Sequence, residues 1–249
     1  MERLVSCVQK RPDALCRLIC FPWSGGGTSQ LAQWGKLFND SIEVFCIRLP
    51  GRHTHLEKPF AKDMASIVTE VTSALLKELK EKPFAFFGHS FGTYTSFAVA
   101  LHLKEKYGLE PVHLFMSAAH APNVSYRIVN IMKKNHKLAM KNKNNTFQYG
   151  IKKTKPFLYM EANSKYRYLM ECFMTTFYVH RFQKAEMIPF SCDITYFSGS
   201  DDKVYDAQEL TSGDTAFYEL PGDHFYLLKP SNESFLIKHI TRCIENAGL

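Results

Sequence analysis

Acidic residues are missing from one long stretch of this chain: between Pro111 and Met160 there is no Asp or Glu. The same stretch carries nine cations, Arg127, Lys133, Lys134, Lys137, Lys141, Lys143, Lys152, Lys153 and Lys155, more than the formal net charge of +7 for all 249 residues. A solvated basic face is the plain reading, and an acidic partner or phosphate-bearing substrate the functional one. No nucleic-acid-binding motif accompanies the charge, so nucleic acid is not an expected partner. Long apolar runs are also lacking: none approaches the roughly 18 residues that span a bilayer, and no stable membrane insertion is expected. The start of the chain, Met1 to Cys7, has neither the apolar segment nor the cleavage site of a secretory signal. Cysteines number seven and stand mostly in apolar runs, which fits reduced thiols in a cytoplasmic protein better than a disulfide framework. With no Cys-x-x-Cys, His-Glu-x-x-His or Gly-Lys-Ser/Thr, the sequence supports neither a metal nor a bound cofactor.

What the chain does contain is organised around Phe84 to Tyr94, Phe-Ala-Phe-Phe-Gly-His-Ser-Phe-Gly-Thr-Tyr. An apolar run of strand character stops at Gly88, and helical spacing (Tyr94, Phe97, Ala98, Leu101) begins after Gly92. Ser90 lies between them in the pattern Gly-x-Ser-x-Gly, the strand-to-helix turn known as a nucleophile elbow. An ordinary glycine-rich βα turn is the competing reading of those five residues.

Strand and helix patterns alternate on both sides of this turn. Arg17 to Phe21 reads as a buried strand, followed by a glycine-rich loop and then Leu31, Trp34, Leu37 and Phe38 at helical spacing. Ile42 to Leu49 reads as a strand, Met64 to Leu79 as an amphipathic helix and Val112 to Met116 as a further strand. Such alternation predicts a mainly parallel, doubly wound α/β sheet. The sheet resumes at Asp193 to Phe197 and near Ala216 to Leu220, and a helix with Leu236, Ile237, Ile240 and Ile244 closes the chain. Between about 120 and 189 the spacing suits helices rather than strands, which predicts a helical lid inserted in a single domain over 1–249.

Ser90, Asp202 and His224 each follow a strand end, in the chain order Ser, Asp, His of an α/β-hydrolase. A serine hydroxyl needs a base to take its proton. Imidazole, with a free pKa of about 6.5, accepts and returns one, and a carboxylate holds the imidazole in the right tautomer. Asp201, Asp206 and Asp223 compete with Asp202 for the acid's role. The glycine-rich loop Pro22 to Gly27 lacks the third glycine of a dinucleotide site, since Gln30 stands there, so an oxyanion hole is the better use. The backbone N–H groups of Trp23 and Phe91 would supply it.

Taken together, Phe21-Pro22-x-x-Gly25-Gly26-Gly27, Leu49-Pro50-Gly51-Arg52, Pro83 to Ser90 and Leu220-Pro221-Gly222-x-His224-Phe225-Tyr226 resemble the type II thioesterases, which are α/β-hydrolases. The resemblance covers most of the chain outside the lid. It implies hydrolysis of medium- to long-chain acyl thioesters held by phosphopantetheine on the acyl carrier protein domain of fatty acid synthase, through an acyl-Ser90 intermediate. It also selects Asp202 as the acid, because the family's Gly-Ser-x-Asp matches Gly199 to Asp202. Two departures stand out: after Pro50-Gly51-Arg52, His55 stands where the family often has a second arginine, and the segment from about Pro122 to Glu186 differs from the family's lid, with neither acidic residues nor the Gly-Gly-Thr-Pro turn between Pro122 and Met160. Other readings of the same core are an acyl-CoA or ester hydrolase, an acyltransferase, or a catalytically silent synthase- or acyl-binding protein.

Overall fold

The computed structural model describes residues 4–23, 26–48, 64–119, 189–202 and 210–248. The chain divides into two units, and all described elements belong to the first: Met1–Ala119, Met187–Val204 and Glu209–Leu249. The predicted lid at 120–189, up to residue 188, and the basic stretch 127–155 lie outside the described residues, as do Leu49 to Arg52 and Asp206.

Seven strands form one sheet: β1 (Val5–Ser6), β2 (Cys16–Phe21), β3 (Ile42–Ile47), β4 (Phe84–His89), β5 (His113–Ser117), β6 (Asp193–Gly199) and β7 (Thr215–Leu220). Their order is β1-β3-β2-β4-β5-β6-β7. Only β1 is antiparallel; the other neighbours pair in parallel. Strands β2 to β5 are buried along their whole length, which explains their continuous apolar runs: helices cover both faces of a parallel sheet. The expected α/β-hydrolase sheet is present. Strand β1 had no sequence signal, because two residues carry no period.

Helices α1 (Thr28–Gln33), α2 (Met64–Glu81), α3 (Phe91–Tyr107) and α4 (Pro230–Glu245) flank the sheet. The helix expected to run through Phe38 ends early. At Trp34–Lys36 it tightens into a 3-10 turn around Gly35, and Leu31, Trp34 and Phe38 still reach the core. Helix α4 packs Leu236, Ile237, Ile240 and Ile244 into that cluster together with β2, β3 and β4. Helix α3 is buried on nearly all sides from Phe91 to Leu103, as expected of a helix between a sheet and a second helix. It contacts both β4 and α2.

Candidate active site

The turn after β4 has the strain that its sequence pattern implies. Ser90 has φ 56° and ψ −118°, a region non-glycine residues rarely occupy and that costs on the order of 1–3 kcal/mol. Its surroundings hold it there. The Ser90 N–H donates to Ser117 O at 2.7 Å. Thr93 Oγ1 lies 2.8 Å from Gly88 O and 2.9 Å from Ser117 O, and accepts the Ser117 N–H at 3.2 Å. The flanking glycines are required for space. A Cβ at Gly88 would lie 2.6 Å from Ser96 Oγ, and one at Gly92 would strike the Phe21 carbonyl and lie 2.8 Å from Pro22 O. The chain leaving β2 is thereby pressed against the first turn of α3. Trp23 follows Pro22, and Phe91 is the first residue of α3, where helical amides have no intrahelical acceptor.

A second close approach forms the other half of the site. A Cβ at Gly199 would collide with the Gly222–Asp223 backbone, so the end of β6 lies against the loop after β7. The Asp201 N–H donates to Gly222 O at 2.9 Å, and the Gly222 N–H to Ser200 Oγ at 3.1 Å. From α4, the buried Asn232 Nδ2 donates to Pro221 O at 3.0 Å and to Tyr226 O at 2.9 Å, clamping the loop on both sides of His224.

These contacts bring Ser90, His224 and Asp202 into one line. His224 Nδ1 is 2.7 Å from Asp202 Oδ2, and its Nε2 is 2.9 Å from Ser90 Oγ. An ionised carboxylate only accepts, so Nδ1 carries the proton and Nε2 is left to accept from the serine hydroxyl. The two competing carboxylates among the described residues are engaged elsewhere: Asp201 Oδ1 accepts from Ser200 Oγ at 3.2 Å and Asp223 Oδ1 from the Phe225 N–H at 2.9 Å.

Behind this line lies a polar chain that sequence reasoning did not assign. His89 is fully buried; its Nδ1 is 2.7 Å from Ser117 Oγ, which is 2.6 Å from the Tyr226 hydroxyl. Burial, and then the nearby His224, hold the His89 imidazole well below its ordinary pKa. His89 Nε2 has no hydrogen-bond partner among the described residues. Burial likewise pushes the Tyr226 phenol above its ordinary range. His89 and Tyr226 stand inside recognised motifs, whereas Ser117 and Asn232 had no signal beyond a strand end and a helix face.

The chain as a whole matches known proteins. Residues 16–244 match the family described as Thioesterase domain. The chain belongs to the thioesterase family. It is 46% identical to "S-acyl fatty acid synthase thioesterase, medium chain" from Anas platyrhynchos, covering 100% of both chains. The protein of the same name from Rattus norvegicus is 41% identical over 100% of this chain and 95% of its own. Among solved structures, human thioesterase 2 superposes with a TM-score of 0.57 at 30% identity, over 95% of this chain and 99% of that one.

This thioesterase has a second polar cluster at the opposite ends of the same strands. A cavity of about 300 Å³ there is lined by His113, Asp193, Thr195, His239, Arg242 and Cys243 among others. His113 Nε2 is 2.8 Å from Thr195 Oγ1, and Cys243 Sγ is 3.4 Å from His239 Nε2. Burial raises the Cys243 thiol and lowers His239, and it lowers His113 to about 4. Among the described residues no group of three or more His, Cys, Asp or Glu side chains could hold a metal ion.

Proposed function

We propose that this thioesterase releases medium- to long-chain fatty acids from the acyl carrier protein domain of fatty acid synthase, with Ser90 as nucleophile, His224 as base and Asp202 as its orienting acid. The observation that carries the reading is the hydrogen-bonded line from Ser90 Oγ through the two nitrogens of His224 to Asp202. The substrate class is supported by full-length identity to two proteins named medium-chain S-acyl fatty acid synthase thioesterases.

The chemistry runs in two halves. His224 Nε2 takes the Ser90 proton as Oγ attacks the thioester carbonyl carbon. The oxygen that becomes negative is held by the N–H groups of Trp23 and Phe91, and each such donor is typically worth on the order of 100- to 1000-fold in rate. Collapse expels the phosphopantetheine sulfur, which leaves with the proton from His224, and the acyl group remains on Ser90. Water then attacks the ester, giving its proton to His224. The second collapse returns that proton to Ser90 Oγ and frees the carboxylic acid. Asp202 stays ionised throughout and stabilises the imidazolium.

We place the protein in the cytoplasm. The six described cysteines are free thiols, which suits a reducing compartment, and no described helix is long and apolar enough to cross a membrane. The test is hydrolysis by the purified protein of acyl thioesters of increasing chain length, on the synthase carrier domain and on CoA, beside Ser90→Ala. Activity that peaks at medium chains, favours the carrier and falls about 10⁶-fold in the variant is expected. Folded wild-type protein that hydrolyses no acyl thioester would overturn the reading.

A further inference from the structure

We propose that Asn232, in the first turn of α4, is a positioning residue that holds the backbone of His224 within reach of Ser90 and Asp202; this rests on the roles given above to those three residues. Neither the helix nor the core accounts for an asparagine at this place. Asn favours helix caps and turns over helical positions, yet α4 begins at Pro230, and its N-cap, Lys229, makes no side-chain capping bond. Asn232 is also buried, at 4% exposure, and an amide buried without partners costs more than an apolar side chain of the same size. What the amide supplies is two N–H groups on one nitrogen.

Both groups are directed at the loop after β7. Nδ2 donates to Pro221 O at 3.0 Å and to Tyr226 O at 2.9 Å. Carbonyl oxygens only accept, so the nitrogen of the amide, not its oxygen, faces them. Gly222, Asp223, His224 and Phe225 lie between the two bonds. That interval needs an outside hold, because Gly222 stands at φ 137° and glycine brings little stiffness of its own. On the side of β6 the hold is the Asp201 N–H on Gly222 O at 2.9 Å. On the side of α4 it is Asn232. The first turn of α4 is a firm base for this. Glu233 Oε1 accepts from Nε1 of the buried Trp34 at 3.0 Å, and the Glu233 N–H donates to Lys229 O at 2.9 Å. The His224 ring makes its two contacts at 2.7 and 2.9 Å, so a shift of its backbone lengthens one or both. A misplacement of about 1 Å at such a site costs on the order of 100-fold in rate.

Asn232→Leu and Asn232→Asp keep the size of the side chain and remove both donors, since an ionised carboxylate only accepts. They change stability for different reasons: Leu removes a buried amide, and Asp adds a carboxylate at a helix N-terminus. On a small acyl thioester each is expected to lower kcat on the order of 100-fold with KM within about twofold. A residue that acts through His224 has nothing to act on once His224 is gone. In a His224→Ala background, the same substitutions should therefore lower the residual rate by less than about twofold. A wild-type kcat in both variants, losses that scale with the fall in melting temperature, or an undiminished loss in the His224→Ala background would each overturn the proposal. Should Asn232→Leu fail to fold, Asn232→Asp carries both comparisons. Ser90→Ala and His224→Ala alone test the roles beneath. If either keeps its turnover, those roles fail; if both lose it while the Asn232 variants do not, only the positioning role fails.

Discussion

The two ends of the parallel sheet carry similar residue types and form very different chemistry. At the C-terminal ends, His224 meets a hydroxyl on one nitrogen and a carboxylate on the other, at 2.9 and 2.7 Å, and is partly open to solvent. At the N-terminal ends, His239 meets a thiol at 3.4 Å, and among the described residues no carboxylate is hydrogen-bonded to it. Burial there raises the thiol, whereas a reactive cysteine needs a stabilised thiolate. His113 spends its Nε2 on Thr195. The contrast shows that nearness of a base and a nucleophile is insufficient. The base must be oriented from behind, and the nucleophile must stand on a backbone that holds it toward the base. Ser90 has that backbone and Cys243, on the last turns of a helix, does not.

The largest effect that sharpens this contrast comes from removing the orienting charge. Asp202→Asn frees His224 to adopt the wrong tautomer and should lower kcat about 10⁴-fold, whereas Asp201→Asn, one residue away and bonded to Ser200, should stay within about twofold. Steady-state kinetics on one thioester measures both, and equal losses would erase the distinction between the two carboxylates.

A smaller effect is expected at the other end of the sheet, in stability rather than rate. The folded pKa of His113, about 4, lies below the unfolded value near 6.5. The unfolded chain therefore binds its proton first as pH falls. The contribution of His113 is fully present above about pH 6.5 and is lost as pH drops toward 4, a change on the order of 3 kcal/mol. His89, held low by burial, acts in the same direction. Urea unfolding at pH 7 and pH 4.5 should show the decline, and His113→Gln should flatten it while keeping a donor for Thr195. An unchanged slope would remove His113 from the acid response. The smallest effect should be that of Cys243→Ser, with turnover within about twofold of wild type; a large loss would mean the lower cluster takes part in catalysis.

The same contrast explains what was legible in the sequence. The sheet was readable because β2 to β5 are buried on both faces and so appear as unbroken apolar runs. Ser90 was readable because its strained turn demands glycine at 88 and 92, a local requirement that leaves a local mark. His224 and Asp202 were placed by strand ends and chain order, and Asp202 was separated from Asp201 only by family resemblance; the hydrogen bond to His224 now makes that distinction in space. The support behind the site was not readable. Ser117 meets partners 28 and 109 residues away, His89 and Tyr226, and Asn232 reaches back 6 and 11 residues to the loop that it clamps; Ser or Asn at such positions is common. His89 was visible as a motif letter, but its bond to Ser117 joins residues 28 apart in the chain, and no periodicity encodes that.

The most direct test of the account is reaction of the folded protein with a fluorophosphonate, with the adduct counted by intact mass and located by peptide sequencing. One adduct per chain, on Ser90, formed rapidly in wild type and lost in His224→Ala, is the expected result. Folded, hydrolytically active protein that acquires no adduct on Ser90 would contradict it, and the nucleophile would have to be sought elsewhere.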